Sequence, residues 1–371
     1  MEIILKKLNA FKIQLIIIFI VFLSCSPKEN EILIKGNISN LPDGKLYLSK
    51  DNYMNKIDSV DVDNGVFTFK YKLSTEEPIY MALHHIDKNG VFRAISFPTK
   101  AKYNNGDYNS QFFLSDSIII INGKLIDNSP IGIQNDSKTK FVNSPEIKAG
   151  YQTNALFHTD GDLFDNINKN TYSKVLLKIK EYSNSFHLLY SINEYRNSFT
   201  PIQVDNFLNS FKGKIKKSNT FLKLKNYNKK RLEKIEIVSP ILTNQKGERE
   251  NVLDKKFDKH LVVFWASWCG PCRQEIPALK NIYKKYKNKV DFVSISTDEN
   301  ERLWKRALDK EMMPWRQFIL SEKSNEYEKN EIFFQLSKSI PYTLLMDKDM
   351  KVIKSHVGLM SNVELDKYLA E

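Results

Sequence analysis

Cysteine is scarce, with three in 371 residues, at positions 25, 269 and 272. That number excludes a scaffold stapled by several disulfides, the solution open to small domains with thin cores. It also restricts metal chemistry. A structural zinc wants about four Cys or His ligands, and the chain has no second Cys pair and no His-x-x-x-His to complete a set. An apolar run of about twenty residues, which a membrane-crossing helix requires, is missing as well: Ile13 to Leu23 is shorter and broken by Gln14. No internal repeat recurs and no nucleic-acid motif is present. The net charge of +12 comes from lysines scattered among Asn and Ile, so it reads as composition and not as a basic patch for nucleic acid. The densest basic stretch, Lys212 to Lys230, reads as solvated helix faces. At 42% hydrophobic residues the chain can fill two or more cores.

What is present is concentrated between Leu261 and Cys272, LVVFWASWCGPC. An apolar, β-favouring run ends in Cys-Gly-Pro-Cys, and Ile276, Leu279, Ile282, Tyr283 and Tyr286 then fall on one face of a helix. This predicts strand, loop, helix. At the first turn of that helix Cys269 meets unpaired N–H groups and the positive end of the dipole, which favour thiolate over thiol. Cys272, one turn on, is placed to close a disulfide with it, and Gly270 and Pro271 set the shape and redox poise of the loop. Half of a zinc site is the competing interpretation, and it lacks its other ligands. Metal and organic cofactor are therefore both expected to be none, the redox group being the cysteine pair.

Three features resemble the thioredoxin superfamily, and within it the TlpA/ResA-type thiol–disulfide oxidoreductases of the bacterial envelope: FWASWCGPC at 264–272, Pro277 five residues past the second Cys, and Ile340-Pro341-Tyr342-Thr343. The resemblance covers about 237–371. It implies an α/β thioredoxin fold and a cis proline at Pro341 beside the disulfide. Trp268, Ile340 and the carbonyl before Pro341 would then align a substrate backbone. It further implies attack by Cys269 on disulfides of envelope proteins, resolution by Cys272, and a membrane thiol–disulfide electron donor that returns the electrons. One position departs from the family: Val263 stands six residues before Cys269, where many thioredoxins have a buried Asp. Glu275 is the nearest carboxylate, open to two readings: an acid–base partner of Cys272, or a solvated first-turn acid stabilised by the dipole. Arg273 either adds positive charge near the thiolate or is simply exposed.

Residues 1–25 read as a signal peptide. Lys6, Lys7 and Lys12 precede the apolar run, and Ser24-Cys25 follows it. This resembles a bacterial lipoprotein signal, with Phe22 where Leu is usual; it implies cleavage, acyl chains on Cys25 and a lasting membrane anchor. Ser26 after the cysteine leans toward the outer membrane, facing the periplasm. Residues 26–31 form a tether.

Alternation from 32 to 123 predicts an antiparallel β-sandwich-like domain, with strands near 32–39, 45–49, 57–62, 66–73, 79–86, 91–97 and 117–122 and a hairpin turn at Asp63-Asn64-Gly65. GNISNLPDGKLYLSK followed by DSVDVDNGVFTFK resembles the small β domain that often precedes thioredoxin modules in envelope lipoproteins. His84 and His85 point to opposite faces of a strand and read as structural. Tyr103 and Tyr108 read as loop residues. Residues 124–150 read as a connecting loop, 151–235 as helical, with Pro201 opening a helix, and 236–371 as the thioredoxin-like domain. The expected activity is membrane-tethered disulfide reduction, serving thiol homeostasis. A disulfide oxidant or isomerase is the alternative within catalysis. Outside catalysis it is a scaffold lipoprotein led by its N-terminal domains.

Overall fold

The computed structural model describes residues 30–130, 138–144, 146–165, 167–233 and 238–370. Cys25 and the expected signal peptide lie outside them. The described chain divides into two compact units. The first runs up to Ser191 and takes in Phe207–Leu222; the second is Ile192–Asn206 together with Lys223 onward.

Period-two alternation builds the first unit. Strand β1 (Glu31–Ile38) buries Ile32, Ile34 and Ile38 and exposes Lys35 and Asn37. It is followed by β2 (Gly44–Lys50), β3 (Lys56–Val62), β4 (Val66–Lys72), β5 (Tyr80–Asp87), β6 (Phe92–Tyr103), β7 (Gly106–Ser110), β8 (Phe113–Leu114), β9 (Ile118–Gly123), β10 (Ile126–Asp127), β11 (Thr139–Asn143) and β12 (Glu146–Lys148). Among the described residues these make two sheets: β12-β9-β1-β4, and β10-β11-β6-β5-β2-β3 with β7 on β6 and β8 on β5. Ile34, Phe69 and Ile121 of one sheet share a buried core with Leu46, Leu83 and Phe97 of the other. This is the expected sandwich, with corrections. It is not wholly antiparallel, because β1 with β9 and β11 with β6 run parallel.

The turn at Asp63-Asn64-Gly65 exists, with Asn64 and Gly65 both at positive φ. It closes a minimal hairpin, Asp63 bridging Val66 antiparallel through reciprocal backbone hydrogen bonds, after which β3 and β4 part into different sheets. Glycine is needed there: its φ is +77°, and a Cβ would fall 2.1 Å from the Ile38 carbonyl oxygen. The stretch 124–150 is no plain loop. It holds β10, β11 and β12, strands of two to five residues at or next to a sheet edge, whose inward anchors, such as Val142, are too few to print an alternating pattern. Tyr103 and Tyr108 lie in β6 and β7, their rings stacked at 6.1 Å. His84 and His85 are buried, and His84 stacks on Tyr47.

The helical stretch comprises α1 (Tyr151–Phe157), α2 (Thr171–Glu181), α3 (Phe186–Glu194), α4 (Pro201–Ser210) and α5 (Asn219–Leu232), divided between the units. Pro201 opens α4, and a reciprocal cap precedes it: Gln203 N–H donates to Thr200 Oγ1, and Thr200 N–H to Gln203 Oε1. In the second unit the Arg196 guanidinium pairs with Glu331, with both side chains largely buried.

The second unit continues with β13 (Ile241–Asn244), β14 (Arg249–Asn251), β15 (Lys259–Trp265), α6 (Gly270–Tyr286), β16 (Asp291–Ser296), α7 (Glu301–Glu311), β17 (Arg316–Ile319), α8 (Tyr327–Phe333), β18 (Tyr342–Asp347), β19 (Val352–Val357) and α9 (Asn362–Ala370). Its sheet runs β14-β13-β17-β16-β15-β18-β19. β15 and β16 pair in parallel, β18 antiparallel to β15. That is the α/β thioredoxin arrangement the resemblance implied, with β17 parallel to β16. Strand β15 is central and buried on both faces, which explains its unbroken apolar run. Val262 and Phe264 enter one core, Leu261 and Val263 the other.

At the start of β16, Asp291 accepts from both Arg316 and His260, at 2.8 and 2.9 Å. Burial alone would raise its pKa, yet His260, Arg316 and the Asp254 N–H hold it below the usual carboxylate range. Replacing Asp291 by Asn should cost about 3 kcal/mol, because it leaves a buried network with one partner removed. Urea unfolding measures this, and a loss below about 0.5 kcal/mol would show the network to be idle.

Candidate active site

Local sequence places the two sulfurs. The strand ends at Trp265, and Ala266, Ser267 and Trp268 lead to Cys269, which is the N-cap of α6, with Gly270 and Pro271 at its first positions. Proline there fixes a helical φ and sacrifices an N–H that would have been unpaired. The Cys269 sulfur accepts the Cys272 backbone N–H at 3.2 Å, and the two sulfurs are joined as a disulfide with Cα atoms 5.3 Å apart. Cys269 and Cys272 are 5% and 2% exposed, packed with Trp265, Ile276 and Trp304. Around them the surface is open. Trp268 is 70% exposed, Gly270 and Pro271 are exposed, and a Cβ at Gly270 would meet nothing within 4 Å.

Facing the pair is the Ile340-Pro341 peptide, which is cis. The Ile340 carbonyl oxygen lies 3.8 Å from the Cys269 sulfur, and the Pro341 carbonyl accepts from Gly358 N–H. The structure therefore brings Cys269, Cys272, Trp268, Gly270, Pro271, Ile340 and Pro341 to one place, although Ile340 and Pro341 are about seventy residues away in sequence.

Glu275 is not a solvated acid. It is 1% exposed, its Oε1 accepting the Met360 N–H at 2.8 Å and its Oε2 without a hydrogen-bond partner among the described residues. Burial pushes its pKa up to about 7, against the pull of the Met360 N–H. It sits one helical turn past Cys272, where positions three apart share a face. Arg273 is half-buried, its guanidinium paired with Glu311 of α7 at 2.7 and 2.8 Å.

Asp298 was absent from the candidate set. Buried beyond the C-terminal end of β16, it accepts from Ser267 N–H at 2.8 Å, Ser267 Oγ at 2.6 Å and Ser296 Oγ at 2.6 Å. It fixes the loop two residues ahead of Cys269. A sequence signal existed, an acid at the carboxyl end of a buried parallel strand, the edge where such sheets build their sites. Trp304 and Trp315 are core residues.

A closed pair at a helix N-terminus, flanked by an exposed tryptophan and a cis proline, is the geometry of thiol–disulfide exchange. Residues 258–352 match the family described as Thioredoxin-like, and residues 32–134 match a domain of unknown function, DUF4369. The thiol-disulfide oxidoreductase ResA of Bacillus thuringiensis subsp. konkukian is 30% identical over 130 residues, 35% of this chain and 72% of that protein. The thioredoxin-like protein YneN of Bacillus subtilis is 29% identical over 33% of this chain and 70% of its own length. Among solved structures, a thiol-disulfide oxidoreductase from Bacteroides fragilis aligns over 36% of this chain and 96% of its own, at 23% identity and a TM-score of 0.30. The chain belongs to the thioredoxin-like thiol–disulfide oxidoreductases of the TlpA/ResA type.

Glu275 gives a pH prediction. Its folded pKa is about 7, above the roughly 4.3 of a free Glu. The folded chain thus holds this proton more tightly than the unfolded one. The resulting stabilisation is complete below about pH 4 and is lost as pH rises through about 7. Between those limits the protein should lose about 3 kcal/mol that the Glu275→Gln variant keeps. Urea titrations of both at the two pH values read the difference; parallel losses would contradict the assignment.

Proposed function

We propose that this oxidoreductase is tethered to the bacterial envelope through an acylated Cys25 and reduces disulfides of periplasm-facing proteins with the Cys269–Cys272 pair. The observation that carries the reading is the Cys269 sulfur at the N-cap of α6, accepting a backbone N–H and facing the carbonyl of Ile340. Unpaired amide donors and the helix dipole stabilise negative charge at that sulfur, which favours thiolate over thiol in the reduced pair.

The thiolate attacks one sulfur of a substrate disulfide. A Cys269–substrate bond forms, the substrate S–S bond breaks, and the leaving sulfur departs as thiolate to take a proton from water. Cys272 then gives up its proton and attacks Cys269, closing the protein disulfide and expelling the second substrate thiolate. Glu275 is the proposed acceptor of the Cys272 proton. A carboxylate with a pKa near 7 is matched to that task, and no buried Asp stands at Val263 to do it. The substrate gains two electrons and two protons. A membrane thiol–disulfide donor supplies the next pair of electrons. The exposed Trp268 and the Ile340-Pro341 carbonyl line the substrate backbone beside the sulfurs. The redox group is the cysteine pair, with no metal or organic cofactor assigned. The outer membrane is the favoured location, on the strength of Ser26 after Cys25.

Blocking the second step tests the roles. A Cys272→Ser protein should accumulate mixed disulfides with substrate through Cys269, visible as thiol-sensitive bands on non-reducing gels. Cys269→Ser should trap nothing, and its turnover of a model disulfide protein should fall at least ~100-fold. Equal trapping by both variants would reverse the assignment of nucleophile and resolver. Envelope function surviving both substitutions would favour the scaffold reading.

A further inference from the structure

The sheet β12-β9-β1-β4 buries one face in the sandwich core and leaves the other exposed. Register sets the exposed residues side by side. Leu33 lies between Ile118 of β9 and Lys70 of β4, and Lys35 between Ile120 and Thr68. Lys148 of β12 is opposite Ile120, and Lys72 is opposite Glu31. Ile118 and Ile120 are 45% and 37% exposed, and the four lysines are exposed around them. Two acids share the face: Glu31, and Glu146, which lies 3.4 Å from Lys148. The solvent side of a half-buried sheet ordinarily carries polar residues. Here bare isoleucines stand among lysines.

We propose that this face docks on the surface of an anionic lipid bilayer. The inference rests on the reading of Cys25 as the acylated residue. Chain length names the occupant: Cys25 precedes Glu31 by six residues, at most roughly 20 Å of extended chain. An anchor there holds the start of β1 against the headgroups, and Lys72, Lys70, Leu33 and Ile118 cluster at that end of the sheet. Lysines pair with anionic headgroups while apolar side chains enter the interfacial layer. A tether this short makes docking intramolecular, at an effective concentration of roughly millimolar, so a modest face suffices.

The full-length protein, purified from membranes, is placed in vesicles of phosphatidylethanolamine with phosphatidylglycerol, in phosphatidylcholine vesicles, and in uncharged detergent micelles. Its lysines are acetylated with an amine-reactive reagent and rates are read by peptide mass spectrometry. Lys35, Lys70, Lys72 and Lys148 should react about threefold or more slowly on the phosphatidylglycerol vesicles than in micelles, with the protection weakening at high salt. Lys246 and Lys351, exposed in the second unit, should be unchanged. Replacing Ile118 and Ile120 together by Ser should return the four rates toward the micelle values. Equal rates in all three media overturn the proposal, as does protection that persists in micelles, which would indicate a protein partner. The mass of the N-terminal peptide separates this from the anchor reading. An acylated Cys25 with unprotected lysines removes the docking face alone, whereas protection without acylation keeps the face and removes the anchor.

Discussion

A sulfur at the first turn of a helix faces backbone N–H groups that nothing else in the helix can use. The rest of the second unit depends on holding Cys269 there. Strand β15 must be buried on both faces to fix the point where the chain turns, so its last five residues are apolar without a break. Asp298 holds Ser267 through two hydrogen bonds, which leaves the loop little freedom before the cysteine. The Ile340-Pro341 peptide lies against the Cys269 sulfur, and Trp268 stands exposed beside it. Positioning of this kind matters more than contact number, because exchange needs the attacking sulfur in line with the bond it breaks.

The same burial that protects the pair creates a problem of charge. Cys272 is 2% exposed, and Val263 supplies no carboxylate. Glu275, one turn further along, is desolvated enough to share a proton near neutral pH. A carboxylate in such a place destabilises the fold whenever it is ionised, a cost that the proposed transfer of the Cys272 proton would put to use. Arg273, nearer in sequence, is paired with Glu311.

The sequence made legible whatever short-range chemistry dictates. The strand-loop-helix around WCGPC, the cis peptide before Pro341 and the alternation of β1 and β4 followed from local pattern and resemblance. What escaped depends on partners distant in the chain. Glu275 looks like an ordinary helical acid until Met360, 85 residues on, is seen to seal it. Asp298 gains its meaning from Ser267, and Arg273 from Glu311. Strand β17 and the strands of 124–150 are short and borrow stability from neighbouring strands, so their own residues carry little periodicity. The Asp63-Asn64-Gly65 turn was readable as a turn, but which sheet the chain enters next is decided by packing.

The central claim is that the helix-capped pair works as a reductant. The most direct measurement is the reduction potential of Cys269–Cys272 in the purified protein, equilibrated with defined thiol buffers. The account predicts a value toward the thioredoxin end of the scale, about −270 mV. A value near the strongly oxidising end, about −120 mV, would contradict it and assign the protein to disulfide formation.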